Sequence, residues 1–486
     1  MAVIIIGRAV ISIFATLIAW CGLRWHVGFT VQNRFTWGMR GSYIPLVQRV
    51  MLNFIWCAIQ AWNGGKLVTV MLTAIFPSFA TVPNSLPANV PATTSEMIGF
   101  FVFWICSVPF LWVPPEKFRR PFQMISIYCG LVMLCMLIWS LSVARGVGPV
   151  FHTGTKMSVK WSTSWIMLST LNSIIGGNAA GMTNGSDFSR YGKSARAYIL
   201  GTFACLFCTG TLVSFVGLVV TAAAQKIYGK VYWNPPDLLM RMMESGDGSS
   251  KARAGVFFLA LGFALTSGFE NICGNAVAGG IDLSGMFPRY INIRRGAFIT
   301  FLAIWIVQPW QLINRAATFL TVVSSFSVFL APIMGLMCAD YFLLRRQRIM
   351  LSDLYEPYGS YHFWHGVNWR AIVAWLVGWA PTIGGLIATV KPLPNASRAL
   401  FELYYLSFFY GFFSSFVVFY VVTVTFPVAG MGDIDNVDTF GTFTPDECKR
   451  LGIAAPESPA ESGTTDRSLE KTEMDEKAVV VDLEYR

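Results

Sequence analysis

The sequence predicts an all-helical protein embedded in a lipid bilayer, and three observations carry that prediction. First, 54% of its 486 residues are hydrophobic and 13% are charged, with a mean hydropathy of +0.54. Soluble domains carry roughly 25% charged residues. A soluble core this apolar leaves too little polar surface for water, whereas lipid accepts an apolar outer face. Second, eleven apolar segments reach the about 20 residues that a spanning helix needs. Third, Lys and Arg are unevenly shared between alternate connections, the mark of membrane topology.

In order, the segments are 2–23, 45–75, 97–114, 121–143, 163–184, 197–222, 254–284, 296–314, 316–342, 369–390 and 401–426. The first lacks the basic start of a cleavable signal and is followed by Arg24, so it reads as an anchor with its N-terminus outside. Glycine pairs interrupt four segments: Gly64-Gly65, Gly176-Gly177, Gly279-Gly280 and Gly384-Gly385. Such a pair fits either close helix packing or a broken helix that offers backbone groups to a substrate. Gly176-Gly177 is balanced between the two, and the others favour packing.

Connections on one side hold seventeen Lys or Arg, Arg49 among them, and those on the other hold eleven. The bias places the C-terminal tail in the cytoplasm. From Pro427 onward fourteen acidic residues face six basic ones, a net of −8, so the rest of the chain carries +18. The transmembrane domain is thus expected over 1–426 and an acidic, disordered tail over 427–486. The basic excess belongs to loops, and no basic patch interleaved with aromatics suggests nucleic acid. Nine of the ten cysteines lie in apolar runs and read as small packing residues, Cys205 and Cys208 included. Asn395-Ala396-Ser397 is a glycosylation sequon in an outside loop, and Asn184-Gly185-Ser186 one at the cytoplasmic face.

No P-loop, HExxH or GxSxG is present, so no enzyme, cofactor or metal is expected. His362 and His365 flank Trp364 at a membrane border and suit interfacial anchoring. Polar residues inside spans are the better clue, since each is costly in lipid. Trp62 and Lys66 stand four apart and share a helix face. An indole there stacks on a flat heterocycle or packs in the core, and a lysine meets the ring or snorkels to the interface. Asn271 and Asn275 repeat the spacing, and a carboxamide offers a donor and an acceptor to a cyclic amide or to a neighbouring helix. Glu270 is deep for a carboxylate and has no assigned role. Asp187 and Arg190, three apart, are placed to pair.

Several runs resemble the first nucleobase–cation symporter family. They are Asp187-Phe188-Ser189-Arg190-Tyr191, His26-Val27-Gly28-Phe29, Gly41-Ser42-Tyr43-Ile44-Pro45, Trp62-Asn63-Gly64-Gly65, Asn271 to Asp282, and Phe287-Pro288-Arg289-Tyr290-Ile291-Asn292-Ile293-Arg294-Arg295-Gly296. The resemblance covers nearly all of 1–430 and points to the fungal and plant uracil/allantoin branch. It implies a leucine-transporter-like fold of twelve helices in inverted repeats, with about eleven here. Met1 falls inside the family's second helix, so the first is expected to be absent, through a truncated gene model or a real short form.

The resemblance implies a plasma-membrane permease that carries a small heterocycle such as uracil or allantoin with a proton or sodium ion. The alternatives are a family permease for a vitamin such as thiamine or nicotinamide riboside, and a non-transporting receptor or regulatory remnant. Carried over by position, Trp62 would stack on the substrate, Asn275 would bond its edge and Asn271 would support that helix. Asp282 and Asp187 would belong to a cation-linked or gating set, with Phe326 inside a gating segment, Ser324 to Phe329. Lys66 stands where the branch usually has Gln. A lysine only donates, which favours a substrate with an acceptor or a negative group.

Overall fold

The computed structural model describes residues 1–113, 115–148, 162–313, 316–391, 396–428 and 430–456. Twenty α-helices follow in chain order. They begin with α1 (Ala2–Trp25), α2 (Phe29–Trp37), α3 (Tyr43–Ile75), α4 (Thr94–Ser107) and α5 (Arg119–Ala144). Next come α6 (Thr163–Gly176), α7 (Ala179–Thr183), α8 (Gly185–Ser189), α9 (Ala195–Phe203), α10 (Gly210–Tyr228) and α11 (Pro235–Ser245). The middle of the chain forms α12 (Ser250–Glu270), α13 (Ala278–Met286), α14 (Ile293–Val307), α15 (Pro309–Leu312) and α16 (Ala316–Cys338). The last four are α17 (Trp369–Val390), α18 (Arg398–Tyr405), α19 (Ser407–Thr425) and α20 (Pro445–Leu451). Among the described residues there is no strand, only two isolated bridges.

Nine helical stretches among the described residues are long and apolar enough to cross a membrane. The other two expected spans are interrupted. The span 163–184 divides into α6 and α7, and 296–314 becomes α14 plus the single turn of α15. In lipid the backbone must satisfy itself, so a break persists only where protein or a cavity covers it. α3 is 33 residues long. At 1.5 Å per residue it exceeds the roughly 30 Å hydrocarbon core, and its ends project or tilt.

Small residues set the closest approaches. Gly64 and Gly65 admit Phe103 and Phe100 of α4, and Gly280 meets the backbone of Ile293 and Ala297 on α14. A Cβ at any of these positions collides with its neighbour, so these pairs pack, as expected. Gly176-Gly177 behaves differently. α6 ends at Gly176, and Asn178 turns the chain into α7.

The tail departs from expectation. Residues 430–456 are folded against the end of α1 and the 345–361 loop, with Phe443, Cys448 and Ile453 buried. Thr444 and Glu447 form a capping box that starts α20, and Gly452 ends it in the left-handed conformation with φ +78. Asp435 accepts hydrogen bonds from the backbone of Leu351 and Ser352 at 2.5 and 3.0 Å. Acidic residues that read as solvating thus cap backbone groups. Asn395 and residues 457–486 lie outside the described residues. Asn184, the other sequon, is buried and donates to Gly274 O at 3.2 Å.

Candidate functional site

A cavity of about 880 Å³ opens where α6 gives way to α7 and α8. Facing that break are α3, the start of α5, and the junction of α12 and α13. At that junction the helix loosens into a π-turn over Asn271–Val277. Such turns insert an extra residue and recur at functional sites. Half-buried Trp56 and Gln60 of α3 line the cavity, as do Glu270, Cys273, Gly274 and Asn275.

A relay of amides fixes the polar edge. Asn271 Nδ2 donates to Cys57 O at 3.0 Å, and Asn275 Nδ2 donates to Asn271 Oδ1 at 3.0 Å. Among the described residues nothing donates to Asn275 Oδ1, which can accept from the cavity. Ser267 Oγ donates to Gln60 O at 2.9 Å and to Gln60 Oε1 at 3.3 Å. Among the described residues nothing accepts from Gln60 Nε2, which can donate into the cavity. One donor and one acceptor beside an indole ring match the edge and face of a flat cyclic amide.

The two asparagines are therefore brought together, Asn275 on the cavity and Asn271 behind it. Trp62 and Lys66 are not. Trp62 is buried against Phe100 and Trp310, with ring centroids 5.5 and 5.8 Å away. Lys66 Nζ lies 2.5 Å from Asp237 of α11 and 3.7 Å from Glu96 of α4. Six residues separate Trp56 from Trp62. At about 100° per residue they differ by about 240° around α3, so one pair faces the cavity and the other faces α4. Trp56 and Gln60 share the i, i+4 spacing of Trp62 and Lys66, which is the signal that was there to find. The charge of Lys66 is met by carboxylates and does not reach the cavity.

Asp187 and Asp282 converge on Arg49, which is fully buried. Arg49 bonds Asp282 through Nε at 2.7 Å and again through Nη2, and Nη2 lies 2.8 Å from Asp187. Thr30 and Asn53 also donate to Asp282, and Phe29 N donates to Asp187 at 2.9 Å. The Phe29 ring lies under the guanidinium at 4.1 Å. The expected Asp187–Arg190 pair does not form, because Arg190 Nη2 donates to Tyr191 Oη at 2.8 Å. Nor is Arg49 a loop charge: it is the seventh residue of α3. Removing one member of such a set leaves a buried charge unpaired, at about 3–5 kcal/mol. Phe326 is buried 5.8 Å from Trp56, behind the cavity wall, and Ser324 Oγ meets Ser173 Oγ of α6 at 2.6 Å. All ten cysteines are free, and no metal-binding cluster occurs among the described residues.

Bilayer-length helices around a largely apolar cavity with a few polar side chains, at a helix break, make this an integral membrane transporter. Residues 1–411 match the family of permeases for cytosine/purines, uracil, thiamine and allantoin, and the chain belongs to that family. It is 32% identical over 527 residues to the transporter aclS of Aspergillus oryzae, covering 97% of this chain and 85% of that one. It is 33% identical over 450 residues to a thiamine transporter of Saccharomyces cerevisiae, covering 92% and 75% respectively. The structure resembles Mhp1, a nucleobase-cation-symport-1 family transporter solved closed around bromovinylhydantoin. The TM-score is 0.64 at 21% identity, over 93% of this chain and 88% of that one. The all-helical transporter fold expected from the sequence is the one observed. These relatives are transporters, and this chain is a transporter, not an enzyme.

Proposed function

We propose that the chain is a secondary active permease that carries a small, flat heterocycle through the cavity by alternating access, coupled to a proton or sodium ion. The observation that carries this reading is the convergence of Trp56, Gln60 and Asn275 on one cavity beside a broken helix. The ring stacks on the Trp56 indole. Its carbonyl accepts from Gln60 Nε2, and its N–H or amine donates to Asn275 Oδ1. The Arg49–Asp187–Asp282 set acts as a latch, because it ties α3 and α13 to α8, the element just past the break. A rocking motion of the broken helix must part it. The positive bias favours the cytoplasm for that end and for residues 430–456, and the family resemblance favours the plasma membrane as the site of action.

The test is uptake by cells that lack their own permeases and express this chain, offered labelled nucleobases, allantoin, nucleosides and vitamins. Saturable uptake of at least one, reduced in Gln60→Ala, is the expected outcome. Uptake of none sinks the proposal. Collapsing the proton gradient and removing sodium, in separate runs, identifies the coupling ion.

A further inference from the structure

We propose that the heterocycle this site accepts carries a positive charge, and that Glu270 is its counter-ion. The inference rests on reading the cavity as the substrate site and adds the chemical class of the substrate.

Glu270 is the last residue of α12, and its side chain is open to the cavity. Other carboxylates deep in the helices are paired. Asp187 and Asp282 share Arg49, and Asp340 lies 3.0 Å from Arg345 Nε. Among the described residues Glu270 takes part in no ion pair. The basic side chains that line the same cavity do not supply one. Arg190 is turned onto Tyr191, with its guanidinium 4.8 Å from the ring centre. Arg119, at the start of α5, forms no ion pair with Glu270. An unpaired carboxylate within a membrane-spanning helix that faces a cavity marks the path of an ion or a charged ligand.

The surroundings suit an organic cation. A Cβ at Gly274, one turn on, would lie 3.2 Å from Glu270 Oε1, so the glycine keeps that oxygen open. Rings crowd the same wall. Phe118 and Phe122 stand 6.2 and 6.0 Å from Phe269, the residue before Glu270, and Trp56 lines the cavity. Aromatic faces attract a delocalised cation, and a carboxylate fixes where its charge sits. A neutral ring would leave Glu270 desolvated and unmatched. With Lys66 turned away onto Asp237, the charge on the Gly274–Asn275 side of the cavity is the Glu270 carboxylate, opposite in sign to what the lysine suggested.

The test uses the purified full chain and equilibrium binding of two matched pairs. These are 1-methylnicotinamide against nicotinamide, and thiamine against thiochrome, its neutral cyclised form. The cationic member of a pair is expected to bind at least about tenfold more tightly. Glu270→Gln is expected to weaken it about 30-fold or more, which collapses the ratio, while Glu270→Asp retains the preference. Equal or tighter binding of the neutral member overturns the inference, and so does a preference that survives Glu270→Gln. A neutral ring whose uptake needs both Glu270 and a proton gradient assigns the carboxyl to coupling and also overturns it. Binding of neutral rings alone defeats this inference and spares the permease reading; binding of neither class defeats both.

Discussion

Trp56 with Gln60 and Trp62 with Lys66 are the same pattern twice on one helix, a tryptophan and a polar side chain four residues on. One pair lines a cavity. The other is enclosed by Phe100, Trp310, Glu96 and Asp237. The residue types are nearly interchangeable, and the neighbours decide the role. In a lipid-embedded bundle, the apolar pattern that reveals an inward face in a soluble helix is muted, because lipid and core are both apolar. What separates the pairs is whether the polar group is satisfied. Lys66 is met by two carboxylates, whereas Gln60 keeps a free donor.

The largest way to test this contrast is Trp62→Ala. Removing a buried indole should lower stability by about 3–5 kcal/mol. Denaturation in detergent measures it, and competition among ligands should keep its rank order. A variant that stays stable and loses its ligand would invert the assignment. Trp56→Ala should act on the other quantity. Ligand affinity should fall about tenfold, roughly 1.4 kcal/mol. Titration calorimetry reads this, and the melting temperature without ligand should change less than in Trp62→Ala.

Lys66→Gln sharpens the comparison at smaller scale. The Lys66–Asp237 pair is partly open, at 19% and 44% exposure, so its loss should cost less than about 1 kcal/mol. Preference between charged and neutral ligands should not move. A switch in that preference would return Lys66 to the site.

The smallest effect concerns α20, where acidic residues again act through their partners. Burial alone would raise the Glu447 carboxyl. Hydrogen bonds from the Thr444 backbone and hydroxyl and from His26 win, and they hold it below its ordinary value of 4.5. A depressed carboxyl lends stability that is complete above that value and is lost as pH falls through the lower folded value. Hydrogen-exchange protection factors of residues 445–451, corrected for the intrinsic pH dependence of exchange, should therefore be flat from neutral pH down to about 4.5 and should fall only in stronger acid. In Glu447→Gln that acid limb should vanish.

The sequence made the spans legible because run length alone marks them. The breaks at Gly177 and after Val307 were less so, since only the covering cavity explains where lipid tolerates them. Asn271 and Asn275 could be found because carboxamides are conspicuous in an apolar run. Asp187 and Asp282 were visible, but their partner was not. Arg49 lies at the head of α3 and looked like one more loop charge, while two deep carboxylates already implied a buried cation. The fold of residues 430–456 was masked by acidity. Its local signs, Thr444 with Glu447 and Gly452 at the far end, form a complete helix start and stop within nine residues.

That docked segment has a practical consequence for labelling the protein. A reporter joined directly after α19 would strip Phe443 from the ring of Trp25, 6.0 Å away, and leave the amides of Leu351 and Ser352 without Asp435. The same reporter joined after residue 456 keeps every one of those contacts. Where a fluorophore or affinity handle is attached will therefore decide whether the tagged chain is the native one.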